Sequence, residues 1–169
     1  MPFSLIRFNL IDPTLDSQSL SDRYKAMLDM AEFADQNGFF MATFEEHHGA
    51  DNAWSPTPLM NAGTVLARTT TLSASISALL LPLHDPIRVA EDIAVIDLMS
   101  GGRLTVIFGL GYRPSEYQLM GKDWDNRGKI MDESIQALLD AWTGEPFQYK
   151  GETHRITPSP LTKPYPLLM

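Results

Sequence analysis

Residues 39–48 read Phe39-Phe40-Met41-Ala42-Thr43-Phe44-Glu45-Glu46-His47-His48. An apolar stretch of strand length gives way, without a spacer, to a cluster of titratable side chains. The run reads as a buried strand with groups able to move protons standing at its carboxyl end. On its amino-terminal side Leu20, Tyr24, Met27, Leu28, Ala31 and Ala34 recur at helical spacing, with Ser19 or Ser21 placed to cap the helix. Gly38 stands where a left-handed carboxyl-terminal cap would sit. On the other side, a loop through Gly49, Asp51, Asn52 and Trp54 reaches Ser55-Pro56, and Leu59, Ala62, Val65 and Leu66 then share one helical face. Helix, strand and helix therefore follow one another around the cluster.

The same alternation extends outward. Phe3 to Ile11 is an apolar, β-rich run ended by Asp12-Pro13. Thr70 to Leu81 is rich in β-branched and small apolar residues and closes at Pro82. Asp85-Pro86 opens a helix in which Ile87, Ala90, Ile93, Ala94, Ile96, Leu98 and Met99 cover more than one face, before Ser100-Gly101-Gly102 stops it. So broad an apolar arc predicts packing on two neighbours, one of them a second subunit, hence a homodimer. Leu104 to Phe108 is the next strand, ended by Gly109-Leu110-Gly111. Arg127 to Trp142 carries Met131, Ile135, Leu138 and Trp142 at helical spacing, and residues 147–156 read as a hairpin.

Alternating strands and helices predict an α/β fold with parallel strands covered by helices, either a doubly wound sheet or a TIM (β/α)8 barrel. A dinucleotide-binding sheet would carry G-x-G-x-x-G after its first strand, and Asn9-Leu10-Ile11-Asp12-Pro13 has no glycine. Gly109-Leu110-Gly111 lacks the third glycine, Pro114 standing in its place. Both architectures hold their chemistry at the carboxyl edge of the sheet, where Asn9, Glu46-His47-His48, His84 and Gly109 to Arg113 are placed.

The chain has 169 residues, 44% hydrophobic and 20% charged, with no cysteine and a formal net charge of −8. That composition is globular, neither disordered nor disulfide-built. The longest apolar run, Ile76 to Leu83, is far short of the ~20 residues a membrane-spanning helix needs. No signal peptide is evident at the start, and a cytoplasmic location is the expectation. With 21 acidic against 13 basic residues and no basic stripe, nucleic acid is not an expected partner.

Histidine exchanges protons near neutral pH, so Glu46-His47-His48 is a candidate for general acid or base work, or equally a loop histidine bonded to backbone. Adjacent side chains of an extended segment point opposite ways, so His47 and His48 are not expected to serve one centre equally. Helical H-E-x-x-H spacing and cysteine ligands are both missing, and no metal site is expected. Ser75 to Leu79 is small and apolar, suited to the approach of a flat ligand or to plain core packing. Gly109-Leu110-Gly111-Tyr112 is a tight turn or a backbone cradle for an anion. Glu116, Arg113 and Arg127 could pair across the loop, a solvated surface role being the commoner outcome for such charges, and Glu91, Asp92 and Asp97 are read as helix-face or cap residues.

Taken in order, Phe44 to His48, then Leu81 to Asp92 (LPLHDPIRVAED), Asp97 to Arg103 (DLMSGGR) and Gly109 to Arg113 with Glu116 resemble the bacterial luciferase-like flavin monooxygenases. The resemblance implies a (β/α)8 barrel that uses reduced FMN, supplied by a flavin reductase, and O2 to oxygenate a small organic substrate. By that resemblance His47 matches the histidine beside the flavin, with Glu46 its orienter, and Ser77-Ala78 matches a non-prolyl cis peptide beneath the flavin ring. Gly109, Leu110, Gly111 and Tyr112 fall on the cofactor-binding turn. Where luciferase proper has an arginine on that turn this chain has Leu110, which counts against light emission. Two other readings stay open, a deazaflavin-dependent oxidoreductase and a non-catalytic or truncated flavin-binding subunit. Four strand–helix units with a hairpin make half of an eight-unit barrel, and Pro166-Leu167-Leu168-Met169 reads as the opening of a fifth strand. Residues 1–169 are accordingly expected to be a single domain, the amino-terminal half of a luciferase-like barrel.

Overall fold

The architecture was taken from a computed structural model, which describes residues 3–168. Strands β1 (Leu5–Phe8), β2 (Met41–Phe44), β3 (Ser73–Leu79), β4 (Leu104–Phe108) and β7 (Leu167–Leu168) form one sheet in that order, every neighbouring pair parallel. Helices α1 (Ser17–Gln36), α2 (Pro58–Arg68) and α3 (Pro86–Ser100) are the crossovers between consecutive strands. After β4 come α4 (Pro114–Leu119) and α5 (Arg127–Trp142), then an antiparallel hairpin of β5 (Phe147–Tyr149) and β6 (Glu152–His154). Among the described residues no helix is long and apolar enough to cross a membrane.

Register shows why this sequence makes a one-sided core. Ile6, Ala42, Ala74 and Leu104 lie abreast, as do Phe8, Phe44, Ile76, Val106 and Leu168 two residues on. These rows share a face, because side chains alternate along a strand. They pack on Met27, Ala31 and Ala34 of α1, Ala62, Val65 and Leu66 of α2, Val89, Ile93 and Ala94 of α3, and Leu138 and Trp142 of α5. The row between them is Arg7, Thr43, Ser75 and Thr105, a far more polar set facing the other way. Parallel strands covered by helices were expected, and the helices cover one face, as in a (β/α)8 arrangement and unlike a doubly wound sheet.

Helix ends follow local chemistry. Asp16, rather than Ser19 or Ser21, caps α1, its carboxylate accepting from the Ser19 N–H at 2.8 Å. Asp85 caps α3 by accepting from the amides of Ile87 and Arg88, with Pro86 in the first turn. Gly101 closes α3 at φ 69°, a left-handed conformation that favours glycine. The strand predicted over Thr70 to Leu81 ends at Leu79, because Leu81–Leu83 turn into a short 3-10 helix led by Pro82. Asp97 is not a surface helix residue: it is fully buried and accepts from the Thr162 amide at 2.8 Å and its hydroxyl at 2.7 Å. That pair ties the segment leading into β7 onto α3. The predicted hairpin and fifth strand are both present, with Met169 outside the described residues.

Candidate active site

All eight residues singled out from the sequence converge on one cleft. His47 and Glu46 after β2, Ser77 and Ala78 in β3, and Gly109, Leu110, Gly111 and Tyr112 after β4 line a cavity of about 490 Å³, together with Arg7, Glu45, Trp54 and Leu80. Parallel strands placed in register bring their carboxyl ends to one edge, so short loops suffice to gather these groups. The Ser77–Ala78 peptide bond is cis, and the pairing of β3 with β4 shifts register between Ser77 and Leu79. Beside it, a Cβ built on Gly109 would lie 2.8 Å from the Ala78 Cβ, so only glycine fits there without displacement. Gly109 N–H donates to the Leu79 carbonyl at 2.8 Å, which removes it as an anion donor.

Around the cleft, Glu45 accepts from the Trp54 indole at 3.0 Å and pairs with Arg7. The His47 ring lies 4.0 Å from the Trp54 ring and 5.8 Å, edge-on, from Tyr112. Its backbone N–H is bonded to Ser55 O at 3.0 Å. His47 Nδ1 stands 3.0 Å from Glu116 Oε1, so the partner of this ring is Glu116 and not the Glu46 expected to orient it. Glu116 is no solvated loop charge: it is buried in the first turn of α4, and of the two pairings the sequence allowed, Arg113 approaches it at 3.7 Å. Arg127 does not join them; its guanidinium lies 3.8 Å over the Trp124 ring and donates to the Trp124 carbonyl.

Glu46 belongs to a second cluster. Its Oε2 accepts from the Leu80 amide, and Oε1 sits 2.8 Å from His48 Nε2 and 2.5 Å from His84 Nε2. His47 and His48 thus face different carboxylates, as alternation along an extended segment requires. Burial opposes charge on Glu46, but the hydrogen bonds from His48 and His84 outweigh it and hold the carboxyl at about 2. The same bond raises the His48 imidazole above its ordinary value, against a smaller opposing effect of burial. The ligand-type atoms of Glu46, His48 and His84 lie within 4.8 Å of one another. Yet both nitrogens touch one oxygen more closely than the ~3.4 Å that separates tetrahedral ligands ~2.1 Å from an ion. As they stand, both histidines are hydrogen-bonded to the one carboxylate oxygen.

A pH dependence of stability follows from these shifts. Glu46 is lowered on folding, so its contribution is complete above its ordinary value of 4.5 and lost as pH falls toward 2. His48 is raised, so its contribution is complete below 6.5 and lost as pH climbs through its folded value. Thermal midpoints measured across pH should fall on both sides of this window. Asp12 and Asp35 are also lowered and share the acid limb, so the check is a shallower acid limb in Glu46→Gln than in the parent chain.

Sequence reading gave Glu116 and His84 no role in the site, although it placed His84 at the edge that bears the chemistry. The available signal was position alone: each follows a strand end at the edge where the other polar residues gather.

Comparison with known proteins returns one consistent result. Residues 1–168 match a family described as luciferase-like monooxygenase. The FMNH(2)-dependent dimethylsulfone monooxygenase of Pseudomonas putida is 32% identical over 149 residues, covering 81% of this chain and 40% of that protein. The oxygenase component of the flavin-dependent trigonelline monooxygenase of Acinetobacter baylyi is 28% identical over 173 residues, covering 98% and 47%. Among solved structures, the monooxygenase RslO1 from Streptomyces bottropensis superposes with a TM-score of 0.86 at 27% identity, covering 99% of this chain and 52% of that one. The chain spans about half the length of the curated relatives it matches.

Proposed function

The chain belongs to the luciferase-like monooxygenase family, and from that premise we propose that it contributes the flavin face of a monooxygenase that uses reduced FMN and O2 to oxygenate a small organic substrate. Residues 1–169 form one domain in this reading, the amino-terminal half of a (β/α)8 barrel working in the cytoplasm with electrons from a flavin reductase. The observation that carries it is the cleft itself, in which the strand ends of β2, β3 and β4 set the His47 imidazole beside the small residues Ser77, Ala78 and Gly109.

The lining fits a tricyclic ring. Ser77, Ala78 and Gly109 make a floor without projecting side chains, and His47, Trp54 and Tyr112 stand around it. Bound and reduced, FMN would supply the electrons that activate O2. The chain's own residues would then do three things. Ser77, Ala78 and Gly109 would hold the ring, Trp54 would shield one side of the His47 imidazole, and His47 would exchange a proton through Nε2, Nδ1 being engaged with Glu116. Arg7 is the one cation among the described lining residues and is already paired with Glu45, so this face would hold the ring and not the phosphate.

Titration with FMN followed by fluorescence quenching, then turnover under 18O2 with a reductase and a panel of aldehydes, ketones and sulfones, tests the reading. Saturable binding and label in the product are expected. No FMN bound at micromolar concentration would sink it, and turnover without label would favour hydride transfer to a deazaflavin-type cofactor.

A second copy of the chain is proposed to cover the groove of about 800 Å³ between α2 and α3, where Met60, Val95 and Met99 are 70%, 42% and 60% exposed. Light scattering is expected to give a dimer, and Met99→Asp a monomer of unchanged helicity. A monomeric parent chain at micromolar concentration rules the interface out.

A further inference from the structure

Glu116 has surroundings that its burial alone does not explain. Its side chain is 1% exposed, and Oε1 takes the His48 backbone N–H at 3.0 Å while standing 3.0 Å from His47 Nδ1. Beyond the Arg113 guanidinium at 3.7 Å, no other charged side chain pairs with it among the described residues. Oε2 is buried with no partner at all. A carboxyl group buried to staple a fold has both oxygens bonded, as Asp97 and Asp12 do here. Glu116 instead leaves one oxygen orphaned and aims the other at the two histidines that follow β2.

We propose that Glu116 is a positioning residue that fixes His47 as its Nδ1–H tautomer and so presents a bare Nε2 lone pair to the cleft. Oε1 already acts as an acceptor toward the His48 amide, and an oxygen committed as an acceptor takes its second hydrogen bond from a donor. The remaining partner on Oε1 must therefore donate, which places the imidazole proton on Nδ1. In a neutral ring that leaves Nε2 unprotonated, and Nε2 has no hydrogen-bond partner among the described residues. Trp54 at 4.0 Å and Tyr112 at 5.8 Å hold the ring plane while Glu116 decides which nitrogen carries the proton. Tyr112 and Glu116 stand on the same connection after β4, so a single segment brings both an aromatic edge and the carboxylate to the ring. His47 consequently accepts a proton before it can return one. The inference deepens the reading of His47 as the proton-handling group and rests on it for its functional meaning, but the tautomer itself is a property of the folded chain.

Imidazole 15N chemical shifts of the uniformly labelled chain, read above pH 7.5 with His47 assigned, provide the test. The parent chain is expected to show a pyrrole-type Nδ1 and a pyridine-type Nε2 at His47. Glu116→Ala should move the ring to the Nε2–H form that free imidazole side chains prefer, and Glu116→Gln, which keeps an acceptor at Oε1, should restore Nδ1–H. A parent chain with His47 as Nε2–H overturns the proposal without any variant, so a fold lost in Glu116→Ala does not protect it. Retention of Nδ1–H in Glu116→Ala overturns it equally, as does loss of that form in Glu116→Gln. Failure of the underlying reading looks different: undiminished turnover in His47→Ala removes the proton role and leaves the tautomer result standing.

Discussion

His47→Ala is expected to lower turnover by about 10²–10⁴-fold, the range that a positioned acid or base contributes, while the FMN dissociation constant changes by less than about tenfold. The two quantities separate because the ring sits beside the floor and is not part of it: Ser77, Ala78 and Gly109 would still receive the flat face. Removing the imidazole also opens space against Trp54, 4.0 Å away, so His47→Gln serves as the control that fills the volume without a titrating ring. Both variants should lose turnover to a similar degree. Steady-state kcat with saturating FMN, alongside a fluorescence titration, makes the comparison, and a kcat within threefold of the parent in either variant removes His47 from the proton step.

Glu46→Ala is expected to destabilise the fold by roughly 3–5 kcal/mol, the loss seen when one partner of a buried ion pair is removed. The carboxylate is the common acceptor for His48, His84 and the Leu80 amide, and its side chain is fully buried. Without it, His48 loses the bond that raises it and stands half-buried against the opposing effect of burial, His84 loses its acceptor, and the Leu80 amide after β3 loses its own. Three segments separate in consequence: the end of β2, the turn after β3 and the approach to α3. Glu46→Gln keeps one acceptor oxygen and should lose less. Urea unfolding monitored by tryptophan fluorescence measures both, and a midpoint for Glu46→Ala equal to that of the parent would show that the cluster carries no stability.

The α/β class and the strand–helix order were legible in the sequence because period and punctuation are local. Leu20 to Ala34 could be read as a helix from spacing, and Phe39 to Phe44 as a strand from length, with no knowledge of what each packs on. Element ends were read less well: Asp16 competes with Ser19 and Ser21 on equal terms until the carboxylate is seen to reach the Ser19 amide. The gathering of His47, Ser77, Gly109 and Tyr112 was also legible, since parallel strands put every carboxyl end on one edge.

By itself, then, the sequence determined the order of elements, the edge that bears the chemistry and the residues along it. The tertiary structure alone decided how the charges among them are partnered. In the chain Glu46 could be read only as a partner of its neighbour His47, Glu116 as a surface or loop-pairing charge, and Asp97 as a helix-face residue. Folding buries all three and gives them partners 38, 69 and 65 residues away. The physical reason is that periodicity reports which side of an element meets apolar neighbours, a short-range property. The acceptor that a buried charge finds depends on the sum of loop paths and strand registers, which no local pattern carries.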